Sequence, residues 1–141
     1  MKTMVWLASV ASVASGLVVL RWARRRWAVI AVTGSSMTPT FHEGDRLLAR
    51  QRPKAIAVGD VVVLEIPGSG SLPRRRTVKR VVAVGGDTVP EEASGTVAAG
   101  AIVPPRHLVV LGDNRTLSAD SRHHGYFPAD RVFGRALRRL G

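Results

Sequence analysis

The sequence predicts a mainly β fold, a small all-β domain set behind an N-terminal apolar segment. Two observations carry this reading. From Trp27 onward, short β-branched runs alternate with Gly and Pro, and no long helical period interrupts them. Ahead of them, Met4–Leu20 is an uncharged run of 17 residues. A chain of 141 residues has room for one domain and an appendage. The division expected is 1–26 as a membrane anchor with a basic flank and 27–141 as the β domain.

As a helix the apolar run would reach about 25 Å, short of a hydrocarbon core of roughly 30 Å. Lys2, Trp22 and the arginines that follow can snorkel across the difference. Two other readings compete with an anchor. Lys2 followed by Ser12-Val13-Ala14 resembles a cleaved signal peptide, although the apolar run continues through Leu17–Leu20. A buried soluble helix is the other. Strands are predicted at Trp27–Thr33, Arg46–Arg50, Val61–Ile66, Thr77–Val84, His107–Leu111 and Val132–Leu137. Gly44-Asp45, Gly59-Asp60, Gly85-Gly86-Asp87 and Gly112-Asp113 supply turns between them. Pro67–Pro73 and Ala93–Gly100 read as flexible or low-complexity connections.

Charge and composition narrow the function. The formal net charge is +11, which suits nucleic acid or anionic lipid. Lys2, Arg21, Arg24, Arg25 and Arg26 flank the apolar segment, and without them 16 basic residues face 10 acidic ones. Attraction to a membrane surface therefore accounts for the excess more simply than DNA binding. The absence of cysteine excludes disulfides, thiolate chemistry and Cys-based zinc sites.

Two polar clusters and a lysine stand out against this background. Ser36 precedes Met37 and Pro39 at the end of the first predicted strand. A serine hydroxyl is a weak nucleophile and needs a base. Lys79 lies in Val78-Lys79-Arg80-Val81, and strict alternation would put Thr77, Lys79, Val81 and Ala83 on one face. An apolar face lowers an ammonium pKa, and only the neutral amine can take the serine proton. The plainer alternative is an exposed edge-strand lysine. Ser118 offers a hydroxyl to orient that amine. Asp120 and Arg122, two residues apart, would share a face of an extended segment and pair.

Taken in order, Ser36-Met37-x-Pro39-Thr40, Gly59-Asp60-Val61-Val62, Lys79-Arg80-Val81 with Gly86-Asp87, and Gly112-Asp113-Asn114-Arg115…Ser118-x-Asp120-Ser121-Arg122 resemble type I signal peptidases over nearly all of residues 4–141. The resemblance implies a small coiled, barrel-like antiparallel sheet with an N-terminal transmembrane helix. It implies Ser36 as the acylating nucleophile, Lys79 as general base, and Ser118 positioning the lysine with Asp120 and Arg122 in support. The backbone N–H of Ser36 would polarise the scissile carbonyl, with Gly34 where some members carry a hydroxyl. Substrate would bind as an added strand against Val32, Thr33, Thr77 and Val78, with small side chains at two positions before the cut. Precursor proteins with signal or leader peptides and membrane lipids are the partners implied, for a monomer without cofactor or metal. The implied location is the cell membrane, single-pass, with the catalytic domain on the extracytoplasmic side. The arginines after the apolar run favour the opposite orientation. Between Gly86 and Pro104 the chain has only a short connection where larger members carry an extra β subdomain.

Rival chemistries fit less well. His42, His107, His123 and His124 are present, yet Gly34-Ser35-Ser36-Met37-Thr38 lacks the second glycine of a nucleophile elbow. His123-His124 cannot form a helical H-E-x-x-H site. A dedicated maturation protease for one precursor fits the same residues. A basic nucleic-acid module would lean on Arg74-Arg75-Arg76, but aromatics for base stacking are few.

Overall fold

The computed structural model describes residues 15–68, 71 and 73–141. Most of the expected anchor, and part of the Pro67–Pro73 connection, lie outside the described residues. Residues 15–26 are helical (α1) and run directly into the first strand. Among the described residues no helix is long and apolar enough to cross a membrane.

Seven strands follow: β1 Trp27–Ala31, β2 Arg46–Gln51, β3 Val61–Ile66, β4 Arg75–Val84, β5 His107–Leu111, β6 Phe127–Pro128 and β7 Val132–Leu140. They form one antiparallel sheet in the order β1-β2-β7-β3-β4-β5-β6. The C-terminal strand lies in the middle, between β2 and β3, and joins the β1-β2 pair to the rest of the sheet. The barrel-like closure expected from the sequence does not occur. β1 is an edge, and β5 pairs with β4 only from Arg80 onward. The first half of β4, Arg75–Lys79, is therefore bonded on one side alone.

The turns close by one repeated device. In the Gly-Asp turns at Asp45, Asp60 and Asp87 the carboxylate accepts the backbone N–H three residues earlier, at 2.9–3.0 Å. The preceding Gly44, Gly59 and Gly86 have φ of +89°, +94° and +95°. That is a region glycine enters without a Cβ penalty.

The core has three parts. Ile30, Val32, Met37, Leu47, Ala49, Val61, Val63 and Val78 pack inside the curled sheet. On its outer face Val62, Leu64, Val81, Leu108, Val110 and Val132 form a second cluster. The third gathers Ala83, Val89, Ala93, Val97, Val103, Val109 and Leu111 under the 86–104 connection. A register shift between Val81 and Ala83 corrects the predicted single face for Thr77, Lys79, Val81 and Ala83. The extra residue turns Ala83 into the third cluster, away from Val81.

Candidate active site

Met37 and β5 position the Ser36 turn. Met37 is 1% exposed and inserts into the inner core, which anchors the turn after β1. Two bonds from the Gly112–Asn114 segment hold the other side. The Asn114 N–H donates to the Ser36 carbonyl at 2.9 Å, and Asn114 Nδ2 to Thr38 Oγ1 at 2.9 Å. Thr40 Oγ1 donates to Asp113 at 2.6 Å. Asp113 in turn accepts two hydrogen bonds from Arg80, at 2.8 and 2.7 Å. This pair depresses the Asp113 pKa, the Arg80 hydrogen bond being the main cause.

Lys79 Nζ lies 2.9 Å from Ser36 Oγ, within hydrogen-bond reach. The lysine is 3% exposed. Burial pushes its pKa below the ordinary lysine value, and attraction to the Asp120 carboxylate partly restores it. A buried amine against a hydroxyl can exchange a proton with it, which is the geometry general-base catalysis requires. The Ser36 N–H donates no hydrogen bond among the described residues, and Gly34 just before it has φ +76°.

Asp120 supports the site from behind. Its carboxylate is fully buried and accepts from the Gly112 N–H at 3.0 Å and from Arg122 Nε and Nη2 at 2.9 and 3.0 Å. Burial alone would raise its pKa. The Arg122 side chain, the Gly112 N–H and the Ser118 hydroxyl outweigh that and lower it to about 2. Arg122 also donates to the carbonyls of Arg115 and Ser118. The expected extended segment is corrected here: Asp120 caps a short helix, α2 (Ser121–His124), and Arg122 sits in its first turn. Cap geometry, with Asp120 also accepting the Arg122 N–H, makes this pair.

Ser118 is buried beside these groups, and its hydroxyl has no partner at full hydrogen-bond geometry among the described residues. Gly112 makes room for it. A Cβ on Gly112 would stand 2.2 Å from Ser118 Oγ and 2.5 Å from the Ser36 carbonyl oxygen. Gly112→Ala is therefore expected to lower kcat about 100-fold with the fold intact, since a shift of about 1 Å at a reacting group costs that much. Single-turnover kinetics alongside circular dichroism check it.

The substrate-cleft residues divide. The Val32 and Val78 side chains belong to the inner core, so they offer a cleft only backbone, whereas Thr33 and Thr77 are more open. A groove of about 870 Å³ lies between β1 and the start of β4, lined in part by Val29, Ala31, Thr33, Arg74, Arg75 and Arg76. Sequence reasoning did not single out Arg80 as the partner of Asp113. The signal available was the Gly112-Asp113-Asn114 turn, whose acid needs a nearby cation once the turn packs against β4.

A profile described as "Signal peptidase, peptidase S26" matches residues 3–97 and 90–140. Mitochondrial ATP-independent inner membrane protease subunit 1a of Arabidopsis thaliana is 36% identical over 116 residues, covering 77% of this chain and 67% of that protein. The mouse (Mus musculus) mitochondrial inner membrane protease subunit 1 is 31% identical over 111 residues, 76% of this chain and 65% of its own length. Probable signal peptidase I-1 of Synechocystis is 30% identical over 135 residues, with 77% and 68% covered. The chain thus spans about two thirds of the length of these relatives. The profile and these relatives define a class of peptidases. The chain belongs to the signal peptidase family, peptidase S26.

Proposed function

We propose that the protein is a membrane-bound endopeptidase that removes signal or leader peptides from precursor proteins, using Ser36 as nucleophile and Lys79 as base. The 2.9 Å approach of a buried Lys79 Nζ to Ser36 Oγ carries this reading. In the reaction Ser36 Oγ attacks the scissile carbonyl while its proton passes to the neutral Lys79 amine. The resulting ammonium protonates the leaving amine, and the same lysine then deprotonates the water that releases the acyl group. The Ser36 N–H faces the developing oxyanion. Asp120 and Arg122 hold the Gly112 turn against which Ser36 rests, and in this reading Ser118, packed against Gly112, orients the lysine amine.

The two open edges support peptide binding by strand addition, with β1 on one side and the first half of β4 on the other. Relatives named as inner membrane and thylakoidal processing proteases support both a membrane location and leader removal. In this reading Met4–Leu20 is the single-pass anchor and the catalytic domain faces the exported precursors. The test is mass spectrometry of products from candidate signal peptides in detergent micelles. Wild type should release one fragment ending in a small residue. Ser36→Ala should release none, and equal cleavage by both proteins would refute the assignment.

A further inference from the structure

The register of three strands assembles a basic surface on the side of the sheet opposite the inner core. Leu47, Ala49 and Ile30 point inward, so their neighbours point out. Three cross-strand rows result: Ala31, Arg46 and Leu140; Val29, Leu48 and Arg138; Trp27, Arg50 and Arg135. No acid interrupts these rows. Arg46, Arg50 and Arg138 have no ion pair among the described residues, whereas Arg135 reaches Asp60 at 3.5 Å. By contrast Glu65 pairs with Arg74 and Arg76 at the start of β4. Other arginines, such as Arg52, Arg75, Arg106 and Arg131, are also without an ion pair among the described residues. What singles out this face is the clustering of its cations in adjoining rows. Between the unmatched cations Val29 is 47% and Trp27 37% exposed.

This surface adjoins the exposed apolar side chains of α1. Gln51 Nε2 donates to the carbonyls of Arg24 and Trp27 at 2.9 and 3.0 Å, tying the helix end to β2. Leu17–Leu20 and Trp22 are exposed on the helix, and the Arg26 guanidinium lies 4.7 Å from the Trp22 ring. A tryptophan beside arginines, at the border of an apolar stretch and a polar domain, is the pattern of an interfacial surface.

We propose that the outer face of β1, β2 and β7 rests on anionic lipid headgroups, an inference that builds on the membrane association proposed above. Arg46, Arg50 and Arg138 bind the phosphates, and Trp27 and Val29 enter the boundary between headgroup and chain. Charge complementarity selects the occupant, because unmatched cations near an anionic bilayer add their attractions. Docked in this way, the sheet is fixed in orientation as well as tethered, and the β1 groove lies at the bilayer surface.

The chain has no cysteine, so single cysteines report cleanly. Val29→Cys on this face and Ala98→Cys on the 86–104 connection are each placed in the full-length protein, in nanodiscs of phosphatidylglycerol with phosphatidylcholine or of phosphatidylcholine alone. A water-soluble maleimide should react about tenfold slower at position 29 in the anionic discs, with no difference at position 98. Arg46→Glu, Arg50→Glu and Arg138→Glu together should remove that protection. So should 0.5 M salt with the arginines intact, which covers a charge-reversed chain that fails to fold. Equal reactivity in the two lipids, or protection that survives both salt and charge reversal, would overturn the proposal while leaving the membrane reading standing. Protection by a DNA duplex added in place of lipid would overturn it too. Failure of the chain to enter either disc would refute membrane association and this face together.

Discussion

Lys79→Met is expected to lower kcat/KM by about three orders of magnitude or more while the protein stays folded and becomes no less stable. Without its base a serine hydroxyl keeps little reactivity at neutral pH. The stability expectation follows from the direction of the pKa shift. Burial holds the folded-state Lys79 pKa below its unfolded value, so the unfolded chain binds the extra proton. Lys79 therefore destabilises the fold at neutral pH, and the penalty fades as pH rises from the folded pKa toward the unfolded one near 10.5. Methionine of similar length removes both the penalty and the base. Activity of the wild type should rise with pH through an apparent pKa below that of a free lysine and fall on the acid side. Peptide hydrolysis over a pH series, with urea titrations of both proteins, checks each part. Full activity in Lys79→Met would remove the lysine from the mechanism.

Asp120→Ala is expected to cost about 3 kcal/mol of stability, the scale of breaking a buried ion pair from one side. The loss strands the Arg122 guanidinium and leaves the Gly112 N–H without its acceptor. The pH dependence runs opposite to that of Lys79. A folded pKa of about 2 against a reference of 3.8 means that the Asp120 contribution is complete above about pH 4 and is lost as pH falls toward 2. The gap between wild type and variant in urea titrations should thus be widest at neutral pH and narrow sharply at pH 2. A gap that stays constant across that range would show that the carboxylate charge is not what stabilises the turn.

Much of this arrangement was legible in the residues, and the failures have definite causes. Val61–Ile66 and His107–Leu111 carry their observed limits because each is an apolar run bounded by turn residues. β4 and β7 run further than expected, to Arg75 and Leu140, because pairing with β3 and β2 draws polar residues into strands without any apolar pattern. The bulge after Val81 leaves no mark in an unbroken Val-Val-Ala-Val run, so alternation misassigned Ala83. A four-residue helix is too short for a period to reveal, which hid the capping role of Asp120. Ser36, Lys79 and Asp120 stood out as candidates because polar residues sit at turns and strands where apolar ones would pack. Arg80 did not, because its pairing is with Asp113, 33 residues away.

The unfinished sheet also sets a conformational toll on whatever peptide completes it. A strand bonded to both β1 and β4 has its backbone extended by about 3.3 Å per residue, whereas a helix advances only 1.5 Å. Under the proposed function, an apolar leader in a bilayer, which satisfies its own amides as a helix, must uncoil for several residues before its bond can reach Ser36. Peptides of equal side-chain fit would then differ in rate by how readily they unwind, and a proline or glycine shortly before the cut should be worth more than another small residue at it.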